Sequence, residues 1–106
     1  MASTGLHQNT EQLLSEALPG QHDVDAKVRT LLEMENLHRL ARLRRLDRDL
    51  SQKYGMSFQE FHACQLTRQR DYSWAVEQDA MDWEMAISGI ATADRQLSEL
   101  RSGHGR

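Results

Sequence analysis

A chain of 106 residues is long enough for one small domain, whose core must come from pairing long elements or from a partner. Its formal net charge of −3 gives no overall attraction to nucleic acid or to an anionic membrane, so binding of that kind needs a local basic patch. One proline, few aromatic residues and 27 % charged side chains favour helix over strand, and all-α is the expected class.

Met1 to Asn9 is small and polar, and is expected to be mobile. Thr10 can cap a short helix through Leu18 that Pro19-Gly20 ends, which makes residues 1–23 a flexible N-terminal segment with one short helix. From Val24 to Tyr54 there is no Gly or Pro, and Leu, Arg, Glu and Ala abound, so a single long helix is predicted. Its seam reads Val28, Leu32, Asn36, Arg39, Leu43, Leu46, Leu50, Tyr54, the alternating three and four spacing of helices that pair along their length. Asn36 and Arg39 interrupt that seam, Asn36 as a packing specifier.

The stretch KYGMSFQEF writes a helix stop against a helix start. Gly55 supplies the left-handed residue that ends the long helix, Ser57 and Glu60 form an S-x-x-E capping box, and Met56 can staple onto Phe61. The next helix is predicted from Phe58 to about Thr67, and a break near Arg68 to Tyr72 follows. The last helix starts at a cap on Asp71 or Ser73 and runs to about Leu100, with Val76, Ala80, Trp83, Ile87, Ile90 and Leu97 as its seam and Asp94 as an interruption. Gly89 weakens it by about 1 kcal/mol relative to Ala. The predicted fold is an antiparallel helical hairpin of two long helices joined by a short third helix, over residues 24–101, with a disordered tail at 102–106.

Five arginines, Arg39, Arg42, Arg44, Arg45 and Arg48, crowd the end of the first long helix, while the last helix carries Asp71, Glu77, Asp79, Asp82, Glu84 and Asp94 with no Lys or Arg among them. An antiparallel hairpin sets these blocks side by side, so the arginines read either as cross-hairpin partners of the acids or as a phosphate-binding patch. Glu77, Asp79, Asp82 and Glu84 read as a solvated acidic face, or as a match for a basic cleft in a partner.

Both long helices also carry apolar residues away from the seam. Trp74, Met81 and Met85 lie close to 180° from Trp83 at about 100° per residue, and Leu31, Met34, Leu37 and Ala41 make a separate stripe on the first long helix. Met adapts its shape and Trp is a preferred interface anchor, so these stripes suit a protein partner. The other reading is that the short N-terminal helix or the middle helix folds back over them. A homodimer would satisfy either stripe.

Cys64 is the only cysteine, so no intrachain disulfide can form. With no signal peptide and no apolar run long enough for a bilayer, a cytoplasmic protein without a membrane partner is expected. His62 and Cys64, two apart on a helix, point in different directions and do not close a zinc site. No cofactor is implied, and no Ser/His/Asp set or phosphate-cradling Gly loop suggests an enzyme.

Lys53, Tyr54, Gly55, Met56, Ser57, Glu60 and Phe61, followed by Ser73, Val76, Glu77, Asp79, Trp83 and Glu84, resemble a pattern in small helical proteins of prokaryotes. Those proteins look like antitoxins encoded beside small toxins of the TumE type. The match covers about Lys53 to Ala86; the Gly that often separates the two motifs in that family is missing from HACQLTRQR, so the middle helix is expected to run further. The resemblance implies a protein that binds a cognate toxin through its helices and occludes its active surface.

The competing expectation is a helix-turn-helix regulator bound to operator DNA. Leu50, Tyr54, Met56 and Phe61 would pack its turn, while Ser57, Gln59, Glu60, His62 and Gln65 would face the groove and Arg39, Arg42 and Arg45 the phosphates. Glu60, and the lack of Lys or Arg before Arg68, weigh against it.

Overall fold

The computed structural model describes residues 5–20, 23–67 and 73–103. Among them are four helices and no strand: α1 Gln8–Ala17, α2 Val24–Tyr54, α3 Phe58–Thr67 and α4 Trp74–Gly103. The two long helices, α2 and α4, pack together with α3 between them in the chain, as the sequence predicts. The chain divides into two compact units, residues 1–35 and 36–106, and α2 begins in the first and ends in the second. No helix among the described residues is long and apolar enough to cross a membrane.

In the first unit α1 starts at Gln8, two residues before the predicted cap at Thr10. His7 holds the N-cap position with extended backbone and no side-chain cap bond. None of the α1 side chains is buried. Asp23 caps α2, its Oδ2 accepting the Ala26 N–H at 3.3 Å. Val28 and Leu32, assigned to the seam, are exposed, whereas Lys27 is buried.

In the second unit the predicted seam of α4 holds, with Val76, Ala80, Trp83, Ile87, Ile90 and Leu97 all in the packed clusters, and that of α2 gains two members. Along α2 the inward positions are Asn36, Leu40, Leu43, Leu46, Asp47, Leu50 and Tyr54, and along α4 Ala86, Ala93 and Leu100 are buried beside the predicted seam residues. Leu40 is buried next to the interruption at Arg39, and Asp47 turns inward beside Leu46, which keeps its predicted place. Asp94, predicted to interrupt the seam, is exposed, because the neighbouring Ala93 turns inward and is fully buried.

Two clusters fill the interface. Leu40, Ala93 and Leu97, with Ile90 against them, form one. The other gathers Leu50, Phe61 and Trp83, with Leu46, Tyr54, Met56, Phe58, Val76, Ala80 and Ile87 packed around them. The small residues Ala86 and Ala93 let the helices approach closely, and Gly89 does the same for Leu43: a Cβ on Gly89 would lie 2.6 Å from Leu43 Cδ1. Gly89 thus has a packing reason beyond its helix-weakening effect.

The corner forms as its residues dictate. Gly55 has a φ of 68°, and the Met56 N–H donates to the Ser51 carbonyl at 3.1 Å, the long bond of a glycine-terminated helix end. The Ser57 N–H donates to Glu60 Oε1 at 2.9 Å and the Glu60 N–H to Ser57 Oγ at 3.2 Å, completing the capping box. Ser73 caps α4 through the Val76 N–H at 3.2 Å, while Asp71 and the break at 68–72 lie outside the described residues. At its other end α4 continues through Ser102 and Gly103, two residues into the predicted tail, where the Ser102 hydroxyl donates to the Glu99 carbonyl at 3.3 Å.

Candidate protein-binding surface

Trp83 and Trp74 sit nine residues apart on α4, half a turn out of phase, and have opposite fates. Trp83 is fully enclosed and stacks among Tyr54, Phe58 and Phe61, with ring centroids 5.0 to 6.0 Å away. Trp74 is 75 % exposed. Met81 and Met85 share its face at 56 % and 69 % exposure, so the predicted stripe stands open to solvent. The described α3, in the same unit, does not seal it.

Beside that stripe is an open groove of about 550 Å³, lined by Met81, Glu84, Met85, Ser88 and Thr92 of α4, with Arg39 reaching in from α2. It combines two flexible apolar side chains, two hydroxyls and one charge of each sign. Such a lining suits an apolar side chain of a partner, with polar contacts fixing its orientation. Leu37 of the second unit is exposed as well, and so are Leu31 and Met34 in the first.

The charged residues are arranged differently from the predicted neutralised blocks. Arg44 is the one member of the arginine cluster in an ion pair among the described residues, reaching Asp94 at 3.3 Å with both side chains more than half exposed. Arg39, Arg42, Arg45 and Arg48 have no acidic partner there. Asp47, inside the cluster, points inward and accepts the Trp83 indole N–H at 2.7 Å. Exposed pairs of the Arg44–Asp94 kind contribute about 0 to 1 kcal/mol.

Asp79 departs from the predicted solvated acidic face. Its Oδ2 accepts the Tyr54 hydroxyl and the Lys53 ammonium, each at 2.6 Å. These bonds hold its carboxyl below the usual range, the Lys53 bond contributing most. Burial, together with the Asp79 carboxylate beside it, pushes the Tyr54 phenol up to about 12. Glu77 and Glu84 remain exposed on the Trp74 side, with no ion pair among the described residues.

The residues proposed for reading DNA do not converge. Ser57 and Glu60 are occupied by each other, and His62 stacks on Phe58 with ring centroids 5.7 Å apart. Gln59 lines a smaller hollow with Asp47, Ser51, Ser57, Phe58 and Ile87. The side chain of Gln65 lies outside the described residues. No group of three or more His, Cys, Asp or Glu among the described residues could share a metal ion.

Lys53, Tyr54, Gly55, Ser57, Glu60, Phe61, Val76, Asp79 and Trp83, which carry most of the antitoxin-like pattern, are the residues that assemble the corner. In that pattern only Glu77 and Glu84 look outward on the stripe's side. No family model matches the chain, and no curated protein or solved structure matches it.

Proposed function

We propose that this chain is a protein-binding helical hairpin that acts as an antitoxin-like neutraliser in the cytoplasm, docking a cognate toxin on the outer face of α4. The observation that carries the reading is the exposure of Trp74, Met81 and Met85 along one line of a helix whose opposite line is fully packed. An exposed Trp beside two Met residues is costly in water and useful in an interface. The resemblance of the corner pattern to antitoxins supplies the partner class, and no catalysis is required.

The test is a pull-down of the native protein to identify what remains bound after a salt wash, followed by calorimetry on the purified pair. Trp74→Ala with Met81→Ala should weaken the complex by about 30-fold or more, equivalent to about 2 kcal/mol, with helical content intact. Unchanged affinity removes this face from the reading, and the absence of any complex removes the antitoxin reading itself.

A second reading, operator binding, is favoured by one observation: Arg42 and Arg45 stand exposed without an ion pair to an acid among the described residues. The capping use of Ser57 and Glu60 opposes it, since it leaves only Gln59 and His62 on the described outer side of α3.

A further inference from the structure

The two outer faces of the second unit carry opposite charge. On α2 the positions opposite the seam are Leu37, Ala41, Arg45 and Arg48, which fall within about 80° of one another, with Arg42 on their flank. All five are exposed, and the three arginines have no acidic partner among the described residues. On α4 the outer positions are Trp74, Met81 and Met85, edged by Glu77 and Glu84, both exposed and likewise outside any ion pair among the described residues. Each face is an apolar strip with an excess of one sign of charge beside it, Asp49 standing among the arginines and Arg39 beside Glu84. From Leu37 to Arg48 and from Trp74 to Met85 the strips are equally long, about 16 Å at the helical rise.

We infer that a second copy of this chain docks head to tail, the arginine-edged α2 face of one molecule against the glutamate-edged α4 face of the next. Charge sets the pairing. A two-fold contact of either face with itself would place Arg45 and Arg48 against arginines, or Glu77 and Glu84 against glutamates. The crossed contact places each arginine near a carboxylate and covers Trp74, Met81 and Met85 with Leu37 and Ala41. Because the two faces look away from each other across the hairpin, the contact does not close on itself, and assembly grows with concentration instead of stopping at a dimer. A nucleic acid fits the α2 face less well: Leu37 and Ala41 offer phosphate nothing, Asp49 stands beside Arg45 and Arg42, and the glutamate-edged face on the other side repels a polyanion.

The experiment is sedimentation of the purified full chain. At roughly 0.3 mM protein in low salt the mean mass should exceed that of one chain and rise with concentration, and ~0.5 M salt should weaken the association about tenfold. Variant one carries Arg42→Glu, Arg45→Glu and Arg48→Glu; variant two carries Glu77→Arg and Glu84→Arg. Each should sediment as a monomer, and an equal mixture of the two should associate again, since each then offers the sign the other lacks. A monomeric wild type, or two variants that stay apart when mixed while circular dichroism shows both folded, overturns the inference. So does a monomeric wild type that retains nucleic acid in low salt and releases it in variant one. Variant one leaves the α4 face intact, so toxin binding by that monomer separates this contact from the proposed function.

Discussion

Trp83, enclosed on every side, donates its indole N–H to Asp47 Oδ1 at 2.7 Å, joining the two long helices through a charged acceptor inside their seam. A charge-assisted bond to a buried donor contributes more than a neutral surface contact, and losing the acceptor strands the donor. Asp47→Ala should therefore destabilise the fold by about 1 to 3 kcal/mol. Asp47→Asn, which keeps a carbonyl oxygen, should cost less. Urea denaturation decides it, and in a Trp83→Phe background the Asp47→Ala cost should largely vanish, because no indole N–H remains to be stranded.

The Lys53–Asp79–Tyr54 group makes stability depend on pH at both ends. Asp79 has its folded pKa depressed, so its contribution is present above the unfolded carboxylate value and is lost as pH falls through the lower folded value. Tyr54 has its folded pKa raised to about 12, so its contribution is present below the unfolded phenol value near 10 and is lost as pH rises toward 12. Tyr54→Phe should cost about 1 kcal/mol at neutral pH and flatten the alkaline loss. An unchanged alkaline limb in thermal melts would show that Tyr54 is not its source.

Gly89 and Leu43 should be coupled. Replacing Gly89 by Ala gains about 1 kcal/mol of helix propensity, but the new methyl would lie 2.6 Å from Leu43 Cδ1 and force that side chain to rotate. In the wild-type background the gain should be cancelled or reversed, and after Leu43→Ala it should appear in full. Equal effects in both backgrounds would mean that the close approach carries no energy.

The corner should respond to local chemistry. Gly55→Ala imposes a φ of 68° on a residue with a Cβ and should cost about 1 to 2 kcal/mol. Ser57→Ala removes the acceptor for the Glu60 N–H and should cost about 1 kcal/mol. Midpoints in urea read both, and a neutral Gly55→Ala would contradict the left-handed turn.

Much of this arrangement was legible in the sequence. The limits of α2 and α3 follow from uninterrupted helix formers and from Gly55, Ser57 and Glu60, whose roles are set within a few residues. The seam is legible in its period and in most of its members: α4 follows it throughout, and α2 adds Leu40 and Asp47 to it. Leu40 and Asp47 are the inward residues of α2 that the spacing alone does not mark. What turns Asp47 inward is the need of a buried indole for an acceptor, a requirement imposed from the other helix and invisible along α2 alone. The exposed line of Trp74, Met81 and Met85 was legible because it lies half a turn from Trp83. The partners of the arginines were not, because exposed flexible side chains take their positions from neighbours distant in the chain.

The two ends of the α2–α4 pairing are unequally furnished. Tyr54, Phe58, Phe61 and Trp83 crowd the end at the corner, whereas the far end relies on Leu40, Ala93 and Leu97. Thermal fluctuation should accordingly part the helices from the alanine end first, like a peg opening about its spring. Backbone amides should then exchange with heavy water fastest beside Ala93 and slowest beside Trp83.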